Sequence, residues 1–129
     1  MATWSNVRNY LEDNFNNVEE DDGLFTITFS FDDGRSQMVF ISKAEDPKGD
    51  DWIFISSPIG ELPLSCLNDA LDYLSNHVCG GMSKVGDYHC VRQTFPLEGI
   101  SGDQLLEGIN MVAVVADLME EKYIGEDAF

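Results

Sequence analysis

The sequence predicts an α+β domain: a twisted, mainly antiparallel sheet with helices packed on it. Three observations carry that prediction. Phe25, Ile27, Phe29 and Phe31 alternate with Thr26, Thr28 and Ser30, the period of a strand with one face in a core. Apolar residues recur at helical spacing near both ends of the chain and in its middle. Turn signals join the strands into two hairpin-rich blocks separated by the middle helix, in the order αβββαββα.

Thr3 caps the first helix, in which Val7, Tyr10, Leu11, Phe15 and Val18 form the stripe. Glu19, Glu20, Asp21, Asp22 and Gly23 end it; carboxylates at a helix C-terminus oppose the macrodipole, so these acids are expected in a loop. After the alternating strand, Asp33-Gly34 suits a two-residue type I′ turn. That turn would set Phe29 opposite Met38 and Ile27 opposite Phe40, with Val39 and Ile41 on the other face beside Thr28 and Thr26. "KAEDPKGDD" reads as a loop, "WIFIS" as a third strand apolar on both faces, and "SPIGELPL" as a Pro/Gly connection. Ser65 caps the second helix, which buries Leu67, Ala70, Leu71 and Leu74 and ends at "CGG". "MSKV", "GD" and "YHCVRQTF" make a second hairpin, stopped by Pro96. Ser101 and Gln104 form a capping box for the last helix, whose core stripe is Leu105, Ile109, Val112, Ala116 and Met119. Residues 1–129 read as one domain, with 124–129 a frayed tail.

The balance of 24 Asp and Glu against 7 Lys and Arg, a net charge of −17, excludes several partners. Such a surface repels phosphate backbones and anionic membranes, so neither nucleic acid nor membrane is expected. It favours basic partners. The N-terminus has no apolar signal-peptide core, and no run approaches the roughly 20 apolar residues of a membrane span. Three cysteines, Cys66, Cys79 and Cys90, read as free thiols in a reducing compartment, and the expected location is the cytoplasm.

The element order, the "SSPIGELP" junction before the middle helix and "VRQTFPLEGIS" before the last one resemble the YbjN family. That family groups with the class I type III secretion chaperones, and the resemblance spans roughly Thr3 to Tyr123. It implies a type III secretion chaperone-like fold, a homodimer and no catalysis. Chaperones of this kind hold a client segment in extended form on hydrophobic patches.

Motifs for chemistry are sparse. His77, Cys79, His89 and Cys90 are zinc-ligating types, but His89 and Cys90 are strand neighbours pointing to opposite faces, and no Cys-x-x-Cys occurs. Cys90 as a nucleophile would need a histidine beside it. The acid clusters around Glu19, Asp32 and Asp46 lack the calcium-loop spacing and read as solvated turns. The glycines form no phosphate-binding motif. No catalytic residue, cofactor or metal site is assigned.

Apolar excess is the stronger signal. Val39, Ile41, Ile53 and Ile55 are expected on the sheet face away from the main helices, and Leu106, Met111, Val114 and Val115 on a second face of the last helix. Large exposed apolar patches mark binding sites, and a symmetric dimer is a common way to cover one. The expected function is a non-catalytic, chaperone-like module that holds a client protein or peptide, basic ones included, on an apolar surface with an acidic rim. The alternative is a small YbjN-type regulator of a sensory or stress-response complex. Replacing Val114 and Val115 with Asp is expected to split the dimer or abolish client capture and spare the fold.

Overall fold

A computed structural model describes residues 3–77 and 81–125. Thr3 is extended, and its hydroxyl accepts from the Asn6 N–H at 3.1 Å, which starts helix α1 at Trp4–Asn14. The helix stops before Val18, which opens strand β1, Val18–Asp21. The acidic run is therefore a strand rather than a loop. Its cause is the following turn: Asp22 and Gly23 both take positive φ, 52° and 82°, folding β1 back on β2, Leu24–Ser30. On an edge strand exposed acids stay solvated and discourage further pairing. Arg8 of α1 clasps the β1 carboxylate of Glu20 at 2.7 and 3.1 Å.

The next turn has three residues, not two. The Phe31 N–H donates to the Arg35 carbonyl at 2.8 Å and the Gly34 N–H to the Phe31 carbonyl at 3.0 Å, with Gly34 left-handed at φ 86°. The extra residue slips the expected register by one. In the pairing with β3, Ser36–Glu45, Ile27 faces Val39, Phe25 faces Ile41 and Thr28 faces Met38. A one-residue slip exchanges the two faces of a strand. The expectation for Val39 and Ile41 is thus reversed.

A turn of the same form closes the next hairpin, with Asp46 and Gly49 in the roles of Phe31 and Gly34 and Gly49 at φ 86°. Of the expected loop at 43–51, Lys43 to Glu45 and Asp51 are consequently strand, and 46–50 form the turn. β4 runs Asp51–Gly60 and takes in Pro58, where a connection was expected. Proline is tolerated in this inner strand because the register shifts between Pro58 and Gly60. A single 3-10 turn at Leu64–Cys66 leads into α2, Leu67–Ser75. Ser65 does not cap it; Cys66 holds that position without a side-chain bond. Ala70 and Leu74 are buried, whereas Leu71 is exposed. Cys79 and Gly80 lie outside the described residues. Strands β5, Gly81–Val85, and β6, Tyr88–Pro96, form the expected hairpin around Gly86 and Asp87. Helix α3, Gly102–Tyr123, opens with both halves of its capping box in place.

The six strands among the described residues form one antiparallel sheet in the order β1-β2-β3-β4-β6-β5. The buried stripes of α1 and α3 share one core with Phe25, Ile27, Val39, Ile41, Ile53, Ile55 and Val91. The expected α3 stripe from Leu105 to Met119 is fully covered. Gly108 lets α3 come close: a Cβ there would lie 2.7 Å from the Phe95 ring and 3.2 Å from Ile55. Two polar networks run through this layer. Arg35 donates to Asp117 at 3.0 Å and to Glu120 at 3.2 Å, tying the β2–β3 turn to α3. Gln37 donates to the Ser57 hydroxyl at 2.8 Å and to the Pro58 carbonyl at 2.6 Å. Ile124 packs against the core, while residues 126–129 of the expected tail lie outside the described residues. No helix among the described residues is long and apolar enough to cross a membrane.

Candidate functional site

With its helices on one side, the sheet leaves its other face open. Side chains alternate along a strand, so the residues between the core positions point to that face. Two adjacent rows cross it. One runs Thr28, Met38, then Pro58, Cys90 and Ser83; the other runs Thr26, Phe40, Ser56 and Arg92. These rows form the floor of a groove of about 470 Å³, in the size range of ligand sites. Leu24, Val85 and Tyr88 stand at its ends, and all three are exposed.

The sequence expectation for the binding surface divides. Val39, Ile41, Ile53 and Ile55 are each fully buried beneath the helices, so they line the core and not the open face. Val115 is also buried, at 3% exposure, whereas Met111 and Val114 are exposed at 39% and 41%. Leu106 is half-buried. Leu118, unforeseen, joins Met111 and Val114 in an exposed stripe at helical spacing. Val115→Asp would therefore place a carboxylate in the core, and the double substitution is no test of a surface. Met38, Phe40, Pro58, Tyr88 and Arg92 were missed. The available signal was the turn: a three-residue reading of Asp32-Asp33-Gly34 puts Met38 and Phe40 on the open face.

Arg92 dominates the groove electrostatically. Its guanidinium lies over the Phe54 ring, 4.5 Å from the centroid, a cation–π contact. Its Nε is buried without a hydrogen-bond partner among the described residues, as is the Ser83 hydroxyl. An unsatisfied buried donor costs about 1–3 kcal/mol. Burial pushes the Cys90 thiol above its ordinary value, against an opposing pull from the Arg92 charge. That favours the neutral thiol rather than a reactive thiolate. His89 points the other way, and its Nδ1 accepts from the Leu62 N–H at 3.0 Å. His77 lies against the Tyr73 carbonyl at 2.7 Å. Elsewhere, carboxylate oxygens of Asp33, Asp117 and Glu121 approach one another within 4.8 Å, but Arg35 already holds Asp117.

The groove can thus take an apolar body with a polar group over Arg92. A scan of known protein-family models finds no match to this chain, and a search of curated proteins finds none either.

Proposed function

We propose that the protein is a non-catalytic binding module that seats an extended segment of a client protein on the open face of the sheet. The observation that carries this is the groove itself. Met38, Phe40, Pro58 and Tyr88 gather apolar surface on the side that no helix among the described residues covers. The exposed acids Asp21, Asp22 and Asp87 stand beside its ends in sequence, next to Leu24 and Tyr88. With a net charge of −17, the surface draws a client of positive net charge while apolar contact supplies affinity. The resemblance to chaperones that hold clients in extended form supports the same reading. The exposed α3 stripe of Met111, Val114 and Leu118 belongs to the helix layer, on the far side of the sheet. A homodimer formed there would leave the groove free.

Selection of random peptides displayed on phage, against the immobilised full chain, tests the proposal. Binding of the selected peptides should fall at least about tenfold in Phe40→Ser, a loss of ~1.4 kcal/mol. It should persist in Val114→Asp, which should instead lower the molar mass seen by light scattering. Peptides that bind Phe40→Ser as well as the parent would remove the groove from consideration.

A further inference from the structure

This inference rests on the open face being a peptide groove and names what that groove selects. Among the described residues, Arg92 is the one charged side chain lining it. The chain carries 24 carboxylates against 7 Lys and Arg, yet no carboxylate lies among the groove residues, and among the described residues the ion pairs belong to Arg8 and Arg35. A cation stands where the rest of the surface is negative. With Phe54 beneath it and Nε covered, its remaining N–H donors are those of the two terminal nitrogens. A guanidinium between apolar walls attracts an anion more strongly than one in open water. Its planar fork matches a carboxylate by two parallel hydrogen bonds. The surrounding negative charge disfavours a polyanion, so a single carboxylate fits and a phosphate cluster does not.

The partner's geometry follows from its extended form. In an extended segment residues i and i+2 point to one face, about 6–7 Å apart. Phe40 and Arg92 lie on either side of Ser56 in one row, about 9–10 Å apart backbone to backbone, a gap that long side chains at i and i+2 close by leaning outward. We propose that the seated segment carries one Asp or Glu whose carboxylate engages Arg92, with a large apolar residue two positions away packed on Phe40 and Met38. The client is basic overall but acidic at this one point.

The test uses the full chain and a series of fluorescein-labelled peptides, acetyl-Ser-Leu-Ser-X-Ser-Leu-Ser-amide, with X set to Glu, Asp, Gln, Asn and Lys. Anisotropy should show the Glu and Asp members binding about tenfold more tightly than Gln and Asn, the range of a charge-assisted hydrogen bond. Arg92→Met should abolish that preference, bringing the Glu and Gln members to the same affinity. Equal affinity for Glu and Gln in the parent protein overturns the carboxylate anchor while sparing the groove. No binding by any member overturns both. If Arg92→Met does not fold, the parent comparison of Glu with Gln still decides, and Arg92→Lys, which keeps the charge but loses the fork, should retain only part of the preference.

Discussion

At the scale of single residues, Asp46 shows how one side chain fixes a turn that the sequence presents only as a loop. Its carboxylate accepts from the Trp52 indole N–H at 3.0 Å, and from the backbone N–H groups of Lys48 and Asp50. The Trp52 bond, followed by the Asp50 amide, holds this carboxyl below the usual carboxylate range. A lowered folded-state pKa contributes stability that is present above the unfolded value, near 3.9, and is lost as pH falls through the folded value. In a Trp4→Phe background, Trp52 emission should hold steady above about pH 4 and shift below it. Asp46→Asn should remove that shift; its persistence would assign the transition to another group. Two of the three helix caps expected at the residue scale were legible in the sequence; the Ser65 cap was not. The Thr3 cap and the Ser101–Gln104 capping box need only the spacing of neighbours and are found as expected. Asp46 was not legible in this way, because its partner Trp52 is brought near only once the turn has formed.

At the scale of elements, periodicity and turn signals found the three helices and five of the six strands among the described residues, and turn geometry decided the rest. β1 was hidden because its sequence, Val-Glu-Glu-Asp, has no buried stripe; an edge strand exposed on both faces shows no apolar alternation. The β2–β3 register was misjudged because Asp-Gly serves two turn types, and the choice between them moves every side chain to the other face. The Arg35 network was also invisible, since it joins residues 82 and 85 positions apart. It makes a firm demand on stability. Asp117 and Glu120 are almost wholly covered, so deleting their cation leaves charge buried without its partner. Arg35→Met should cost about 3–5 kcal/mol in urea unfolding. Adding Asp117→Asn and Glu120→Gln should recover a substantial part of that loss. A loss no larger in Arg35→Met than at an exposed arginine would show that α3 docks without this tie.

At the scale of the whole molecule, the fold is a sheet with one face committed to the core and one face available. The α+β class was legible because it depends on element order, which survives errors in register. The candidate site was legible only as an excess of apolar residues. Val39, Ile41, Ile53 and Ile55 were assigned to the open face and are core, while their strand neighbours Met38, Phe40 and Phe54 point the other way. The excess was real, but its side was set by a turn one residue longer than expected. The most direct measurement of the central claim is NMR of the 15N-labelled protein during addition of a selected peptide. Shift changes should concentrate at Met38, Phe40, Ser56, Arg92 and Tyr88 and leave Met111, Val114 and Leu118 unmoved. Changes centred on the α3 stripe, with the sheet residues still, would contradict the assignment of binding to the open face.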